Sequence, residues 1–341
     1  MVGKKFVALK PFNNKIYYKN AIFDEQSPFN SFYMVTARKL LEKNNITINT
    51  IDLLPDKDTL KEIYIEVPYP WEIRLWLRII KNKKKNILFI GEPPLVNPFS
   101  FFRIFLFFFT KVYTWNDSLL DNKKYFKYVL PKKIDKIEIK KVPFKDRGLL
   151  ILMNSNLMPF LPFELLSYST KELYSERIKA IDFFDKRYPS DFSLYGKGWN
   201  SLRKFSLTER IFGFKKYNTY KGEFPQKDKY AILSKFKFCL CFENSSATGY
   251  ISEKIFDCLK ARCIPVYLGA PNISDHINPK LFIDCRKFRN YQELAEFLMT
   301  MDEKTYDSYI NEIEKFLSSK EIKEQWSDNT FAETFLKAIL N

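Results

Sequence analysis

Charged side chains that could bind a phosphate or accept a proton follow short apolar runs in both halves of this sequence. In the first half, Glu92 comes directly after the run 87–90 and Gly91, and two prolines fix the backbone behind it. In the second half, the run 236–242 (FKFCLCF) leads into a polar segment that contains Lys254 beside Glu253. Lysine can neutralise phosphate oxygens, and a rigidly held carboxylate can take a proton.

The segment 236–271 has the pattern of a strand, a loop, a helix and a second strand. Its first run suits a buried strand, Ser252 can cap the helix, and 264–268 is the second strand. Such a helix directs backbone N–H groups toward the carboxyl edge of a parallel sheet, where anions bind. Lys254 lies in the first turn, where a bound anion would offset its unfavourable interaction with the helix dipole. Taken alone, Lys254 is also consistent with a solvated surface charge.

Two interpretations of Glu92 follow from the residues alone. A carboxylate at the tip of a central strand is held rigidly at the sheet edge, where it could act in catalysis. A glutamate in a turn would only accept hydrogen bonds from the turn itself. Its position in the sequence does not decide between a catalytic and a structural role.

The order and spacing of several segments form a specific pattern. FKFCLCFEN, GYISEK, IPVYLGAP and NPKLFID follow one another between residues 230 and 288. Together they resemble the donor-binding signature of glycosyltransferase family 10, the α-1,3/4-fucosyltransferases, in their bacterial form. The resemblance continues more weakly back to about residue 87. It implies a GT-B fold, in which two doubly wound Rossmann-like α/β domains face each other across a cleft, and GDP-L-fucose as the donor, with no obligatory metal.

The resemblance also implies roles for individual residues. Glu92, in FIGEPP, corresponds to the general base of an inverting transfer. Arg177 and Lys254 correspond to the cations that contact the donor diphosphate, although Arg177 could instead pair with Glu172 or Glu176. The remaining donor-binding assignments are Asn244 for fixing the loop, Tyr250 for packing beside the sugar, Glu253 for the donor hydroxyls, and Tyr220 for the nucleotide.

Hydrophobic periodicity predicts an α/β organisation along the whole chain. In the first half it predicts strands over 5–9, 46–51, 87–90 and 112–115 and helices over 31–43 and 71–80. The aromatic segment 99–110 is predicted as a buried helix, or alternatively as part of an acceptor groove or a bilayer contact. The helix over 172–187 is predicted to bury Ile178, Ile181, Phe183 and Phe184.

The expected domains are an acceptor-binding domain over 1–145, a donor-binding domain over 146–320, and a C-terminal helix over 321–341 that packs back on the first domain. The basic tract 132–145 has few core residues and is interpreted as the approach to a linker. With 341 residues, 46% of them hydrophobic, the chain can form two cores of ordinary size.

The positive charge is concentrated in one stretch. Residues 81–150 contain 16 Lys and Arg against 6 Asp and Glu, a surplus of 10 within a net charge of +16. Such a field attracts nucleotides, anionic lipid or nucleic acid. The sequence has no RNP motif, no zinc-ligand pattern and no basic recognition helix, so we expect no nucleic-acid partner.

The cysteines and the apolar segments indicate a location. Five cysteines, an odd number at mostly apolar positions, favour a reducing cytoplasm. The N-terminus lacks an apolar core of signal-peptide length, and the run 99–109 is about half the length of a membrane-spanning helix. We therefore expect a cytoplasmic protein, with peripheral contact to the anionic inner face of the plasma membrane.

Other functions are compatible with the sequence. Within the same class of enzyme, the donor could be another nucleotide sugar, and the acceptor could be lipopolysaccharide or an oligosaccharide. Glu243 and Glu253 are separated by nine residues, whereas retaining GT-B enzymes commonly have seven between their two glutamates. In a different class, the basic, aromatic first half could belong to a nonenzymatic protein that binds nucleic acid or membrane.

Overall fold

The computed structural model describes residues 5–12, 15–28, 31–54, 59–132, 137–167, 170–202, 211 and 213–341. The chain divides into two compact units. The first unit comprises Met1–Ile134 together with Lys320–Asn341, and the second comprises Asp135–Ser319.

The first unit contains a six-stranded parallel sheet. Its strands are β1 (Lys5–Lys10), β2 (Ile46–Thr50), β3 (Thr59–Ile65), β4 (Asn86–Ile90), β5 (Lys111–Thr114) and β6 (Tyr125–Lys127). Their order in the sheet is β2-β1-β3-β4-β5-β6. The helices of this part are α1 (Phe32–Lys43), α2 (Ile73–Lys81) and α3 (Arg103–Leu106). A parallel sheet of this kind buries its central strands on both faces, and every residue of β4 is buried.

The second unit contains a five-stranded parallel sheet. Its strands are β7 (Gly148–Met153), β9 (Phe192–Tyr195), β10 (Phe236–Phe242), β12 (Ile264–Leu268) and β13 (Ile283–Asp284), in the order β13-β12-β10-β7-β9. The short strands β8 (Lys171–Glu172) and β11 (Ser245–Ser246) form a separate antiparallel pair. The helices are α4 (Leu161–Leu166), α5 (Tyr174–Arg187), α6 (Lys229–Leu233), α7 (Glu253–Lys260), α8 (Tyr291–Thr300) and α9 (Glu303–Ser318).

The C-terminal helices belong to the first unit. They are α10 (Lys320–Gln325) and α11 (Asp328–Leu340). Phe335 of α11 is fully buried, and its ring centroid lies 5.2 Å from that of Phe89 in β4. The Thr36 hydroxyl of α1 donates a 2.6 Å hydrogen bond to the Asp328 carboxylate. The last helix is therefore part of the core that supports the first sheet.

Removing the Phe335 ring is expected to destabilise the first unit. Phe335→Ala leaves a cavity in a close-packed aromatic cluster, so we expect a loss of about 3–5 kcal/mol in the free energy of unfolding. Denaturant unfolding followed by circular dichroism measures this loss. Leu340→Ala, on the same helix but 55% exposed, is the matched control and should change the free energy by about 0.5 kcal/mol or less. Equal effects of the two substitutions would contradict the packing described here.

Two sequence-based expectations are wrong, and one strand was missed. The segment 99–110 is not a buried helix but a 3-10 turn over Pro98–Phe101 followed by the single-turn α3, because its aromatic residues occupy every face and no one side can be buried. Strand β3 was not predicted, because Lys61 and Glu62 interrupt its apolar pattern. In α5, Ile178 and Phe183 are only half-buried; the buried residues are Tyr174, Arg177, Ala180, Ile181, Phe184 and Asp185.

Candidate active site

A cavity of about 390 Å³ lies at the carboxyl edge of the second sheet. The loops that follow β7 and β9 line one side of it, and the start of α7 lines another. Its polar lining includes Asn154, Ser155, Lys197, Glu223, Glu253 and Lys254. The carboxyl edge of a parallel sheet is where α/β proteins bind ligands, so this cavity is a candidate nucleotide site.

Gly196 allows the two loops that line the cavity to approach closely. Its φ is +140°, and a Cβ at this position would lie 2.0 Å from the carbonyl oxygen of Asn154. The indole N–H of Trp199 donates to the same carbonyl at 2.7 Å. Tyr220, assigned from the sequence to the nucleotide, donates its hydroxyl to the carbonyl of Gly196 at 3.0 Å. Tyr220 therefore supports a residue of the cavity wall.

Lys254 is held by a buried carboxylate. Glu243, which directly follows β10, is fully buried, and its Oε2 lies 3.1 Å from the Lys254 ammonium. The same carboxylate accepts hydrogen bonds from the backbone N–H and the hydroxyl of Ser252, at 2.8 and 2.6 Å. Ser252 caps α7 by accepting from the N–H of Lys254 at 3.4 Å. One buried carboxylate thus orders both the start of the helix and its lysine.

The charges around Lys254 keep it protonated. Burial works to lower the pKa of Lys254, but the negative charges of Glu243 and Glu253 outweigh burial, so the pKa lies above its ordinary value. Its side chain is 21% exposed, and the residue lines the cavity. A cation with this position and charge state is suited to neutralising a phosphate group.

Arg177 is buried beneath the loop that follows β10. It is 2% exposed, and its Nη2 donates to the carbonyls of Phe242 and Glu243, both at 3.3 Å, and to Asn244 Oδ1 at 3.4 Å. Burial lowers the pKa of Arg177, whereas Tyr174 and Glu243 raise it. Its Nε has no hydrogen-bond partner within the described part of the chain. Arg177 and Asn244 are therefore brought together, and Arg177 fixes the loop backbone from below.

Tyr250 and Glu253, both assigned to donor binding from the sequence, differ in burial. Tyr250 is 4% exposed and belongs to the core, whereas Glu253 is exposed at the start of α7 and lines the cavity. Of the six residues assigned to donor binding from the sequence, Glu253 and Lys254 line this cavity. Arg177 and Asn244 adjoin it through the loop that follows β10, as described above.

In the first unit, a second glutamate fixes the backbone at Glu92. Glu92 is half-buried after β4, and the N–H groups of Gly91 and Glu92 donate to Glu66 Oε1 at 2.6 and 2.8 Å. The Ser100 hydroxyl donates to Glu66 Oε2 at 2.7 Å. Glu66 directly follows β3 and has a φ of +65°, a conformation that non-glycine residues rarely adopt. Three hydrogen bonds to one carboxylate therefore determine where the Glu92 backbone lies.

Burial changes the protonation of this site. Burial raises the pKa of Glu66 to about 7, against the opposing effect of its hydrogen bonds, and the charge of Glu92 raises it further. Lys10, fully buried at the end of β1, has a pKa lowered by burial to about 8, while the negative charges of Glu72 and Glu66 act in the opposite direction. Glu66, which titrates near neutrality, thus contacts the Glu92 backbone, and Lys10 interacts electrostatically with Glu66; such shifted groups are common at functional sites.

The raised pKa of Glu66 predicts a pH-dependent stability. Between about pH 4.5, its ordinary value, and pH 7, the folded state binds more protons than the unfolded state, so the free energy of unfolding falls as the pH rises. The loss from this group reaches about 3 kcal/mol above pH 7. Denaturant unfolding of the wild type and of Glu66→Gln between pH 5 and 8 tests this. The free energy of unfolding of the wild type should fall relative to that of Glu66→Gln as the pH rises. A pH-independent difference would contradict the assignment.

A large groove lies at the carboxyl edge of the first sheet. Its volume is about 1240 Å³, and it is lined by residues that follow β1, β2 and β3. Trp71 forms part of its wall and stacks on Tyr69, with ring centroids 4.7 Å apart and planes 16° apart. The charged lining residues are Lys15, Lys19, Asp52, Glu72, Arg74 and Arg78. An exposed aromatic face beside polar groups is a common arrangement for binding a polar ligand with apolar faces.

Two residues of these sites were missed from the sequence. Glu66 and Glu243 each follow a buried strand directly, and this is the same signal that drew attention to Glu92. If every charged residue directly after a predicted strand had been considered, Glu243 would have been found. Glu66 follows the strand that was not predicted, so its context was not recognisable.

Several other expectations concern the chain as a whole. All five cysteines are free thiols, and Cys239 and Cys241 are buried core residues. Among the residues described, no three His, Cys, Asp or Glu side chains are grouped so as to hold a metal ion. No helix of the described ranges is long and apolar enough to cross a membrane.

Comparison with solved structures defines the fold class. A crystal structure of an α1,3-fucosyltransferase with GDP-fucose matches 99% of this chain and 90% of its own, with a TM-score of 0.56 and 16% identity. Two α/β units with parallel sheets and this match define a GT-B fold, which confirms the predicted fold class.

Comparison of sequences shows which family the chain resembles. Residues 192–335 match the family model described as "Glycosyltransferase family 10 (fucosyltransferase) C-term". An alpha-(1,3)-fucosyltransferase of Helicobacter pylori is 40% identical over 72 residues, 21% of this chain and 15% of the relative. The human GDP-fucose protein O-fucosyltransferase 3 is 36% identical over 84 residues, 24% of this chain and 18% of the relative. The matched segments thus span less than a quarter of either relative.

Proposed function

We propose that this protein is an inverting glycosyltransferase that transfers L-fucose from GDP-L-fucose to a hydroxyl of an acceptor glycan, forming an α-1,3 or α-1,4 linkage. One observation carries the proposal. Within the segment that matches family 10, Lys254 lies at the start of α7 and lines the cavity at the carboxyl edge of the second sheet. The second unit is accordingly the donor domain, and the first unit is the acceptor domain.

The donor diphosphate is stabilised by cations and backbone N–H groups. Lys254 neutralises the phosphate oxygens, and the positive end of the α7 helix dipole adds favourable partial charge. Arg177 holds the loop carbonyls beneath them, and its buried Nε is a further donor. Glu253 accepts hydrogen bonds from donor hydroxyls. Because these groups supply positive charge to the leaving GDP, the reaction needs no obligatory metal ion.

Glu92 is the general base of the transfer. Its carboxylate takes the proton of the acceptor hydroxyl as that oxygen forms a bond to C1 of fucose. The bond between C1 and the GDP oxygen breaks in the same step, GDP leaves with the bonding electrons, and the configuration at C1 inverts. Glu66 is a positioning residue, because it binds the backbone N–H groups of Gly91 and Glu92.

The groove of the first unit is proposed to hold the acceptor. Its rigid aromatic wall at Trp71 and its charged lining suit a glycan with anionic substituents, such as lipopolysaccharide, or an oligosaccharide. Peripheral contact with the anionic inner face of the plasma membrane in the cytoplasm would bring lipid-linked acceptors to this groove. The known relatives act on different acceptors, so their names do not select one.

Trp71→Ala tests the groove. We expect KM for a soluble oligosaccharide acceptor to rise about tenfold, because an aromatic surface of this size contributes about 1–1.5 kcal/mol, with little change in GDP affinity. Steady-state kinetics with varied acceptor measures the change. Phe107→Ala removes a similarly exposed aromatic ring of the same unit outside the groove and should leave KM unaltered. Equal KM values for wild type and Trp71→Ala would contradict this assignment.

A screen of nucleotide sugars tests the proposed function. The full chain is incubated with GDP-fucose, GDP-mannose, UDP-glucose and UDP-N-acetylglucosamine in the presence of EDTA, and nucleotide release is measured. We expect release from GDP-fucose to exceed release from the others, and a glycan array with this donor should then identify the acceptor. Preferential turnover of another sugar would replace fucose in the proposal. Absence of any turnover, together with polyanion binding, would favour the nonenzymatic alternative.

A further inference from the structure

Helix α2 presents a row of large apolar side chains to solvent. Ile73, Leu77 and Ile80 are 61%, 63% and 54% exposed. Their spacing of four and three residues places them on one face of the helix. An exposed row of this kind is unusual on a soluble protein and marks a surface that contacts something apolar.

A second exposed row lies beside the first. Ile104 and Phe107, in and directly after α3, are 70% and 61% exposed. Trp76 of α2 packs against Phe105 and Phe108, with ring centroids 5.1 and 5.8 Å apart. The contacts of Trp76 with Phe105 and Phe108 therefore hold the two exposed rows next to each other. We refer to Ile73, Leu77, Ile80, Ile104 and Phe107 as the apolar face.

Cations surround the apolar face. The stretch 73–85 has no Asp or Glu, and its basic residues are Arg74, Arg78, Lys81, Lys83, Lys84 and Lys85. Arg78 pairs with the buried Glu62, but Lys81, Lys84 and Arg103 are exposed. The Lys83 ammonium lies 3.3 Å from the centroid of the Phe107 ring, so positive charge directly adjoins the apolar side chains.

We propose that the apolar face binds the surface of a bilayer that contains anionic phospholipid. Aliphatic and aromatic side chains of this kind enter the boundary between headgroups and acyl chains, while the flanking lysines reach lipid phosphates. A nucleic acid would use the cations but would leave the aliphatic row exposed to water. Helix α2 is about 14 Å long, less than half the thickness of a hydrocarbon core, so the contact is superficial.

This inference names the residues that make the membrane contact proposed above, and it does not depend on the transfer reaction. Helix α2 also contributes Ile73, Arg74, Leu75 and Arg78 to the groove of the first unit. The same short helix therefore borders the proposed acceptor groove and carries part of the apolar face, and Ile73 belongs to both. Binding at a bilayer would hold the groove close to acceptors that are embedded in that bilayer.

Vesicle flotation of the full chain tests the proposal, using phosphatidylcholine vesicles with and without phosphatidylglycerol. The wild type should float with the anionic vesicles. Leu77→Asn with Phe107→Asn, and separately Lys81→Glu with Lys84→Glu, should each lower partitioning by roughly tenfold or more. The control, Leu161→Asn with Leu165→Asn, alters two equally exposed apolar residues of the second unit and should float as the wild type does.

Three outcomes would overturn the proposal. The first is failure of the wild type to float with anionic vesicles, and the second is unchanged flotation of either test variant. The third is a dimer in gel filtration that Leu77→Asn with Phe107→Asn dissociates, because this would assign the apolar face to contact with a second copy of the chain. Donor hydrolysis without acceptor is measured on every variant. Hydrolysis of the donor needs no membrane. A wild type that hydrolyses no GDP-fucose would therefore count against the proposed reaction, but it would not change the interpretation of the flotation result.

Discussion

Glu92→Gln is expected to lower the transfer rate by about 10²- to 10⁴-fold while GDP binds as tightly as before. Glutamine keeps the size of the side chain but cannot take the proton of the acceptor hydroxyl, and general bases contribute about this much to catalysis. The Glu92 N–H still donates to Glu66, so the backbone at this position should not move. Steady-state transfer with saturating acceptor and calorimetry with GDP measure the two effects.

A carboxylate at the next strand provides the control. Asp117 follows β5, which is the neighbour of β4 in the first sheet, and pairs with Lys127 at 2.5 Å. Asp117→Asn removes a similar charge near the same sheet edge and should change turnover by less than about threefold, since partly exposed ion pairs contribute little. Turnover of Glu92→Gln within that same range would reject Glu92 as the base.

Lys254→Met is expected to weaken GDP binding by roughly 30-fold or more, because hydrogen bonds to charged groups contribute about 2 kcal/mol. The substitution also leaves the Glu243 carboxylate buried without its cation, so the free energy of unfolding should fall by about 3–5 kcal/mol. Calorimetry with GDP and denaturant unfolding measure the two losses. A single variant therefore mixes a structural effect with a binding effect.

The double variant Glu243→Gln with Lys254→Met separates these effects. A neutral glutamine can still accept from the backbone N–H of Ser252, so much of the lost stability should return. GDP affinity should stay low, because the cation that neutralises the phosphates is absent. If the double variant regains both stability and GDP affinity, Lys254 has only a structural role.

The sequence predicts two strands that support the candidate site with high accuracy. The runs 236–242 and 264–268 are strands with the predicted bounds, because nearly continuous apolar runs are typical of buried parallel strands. Strand β3 departs from this pattern. Its buried Glu62 is tolerated because Tyr64 of the same strand and the more distant Arg78 and Asn82 hydrogen-bond to it. The two distant partners cannot be read from a local pattern.

The candidate site was predicted in part for the same reason. Glu253 and Lys254 were placed correctly beside a helix start at a sheet edge, since local sequence determines the strand, the cap and the helix. The burial of Arg177 and the anchoring of Lys254 by Glu243 depend on tertiary packing. Glu66 acts on Glu92 across 26 positions of sequence, through a carboxylate whose strand was itself unpredicted.

Titration of the full chain with GDP, followed by calorimetry at low and moderate salt, tests the central claim most directly. We predict saturable binding of one GDP per chain that weakens by less than about tenfold between 50 and 200 mM salt, since few phosphates are neutralised. Glu243→Gln with Lys254→Met should weaken this binding by roughly 30-fold or more. Absence of GDP binding, or binding of any polyanion with a loss of several orders of magnitude over that salt range, would contradict a sugar-nucleotide site in the second unit.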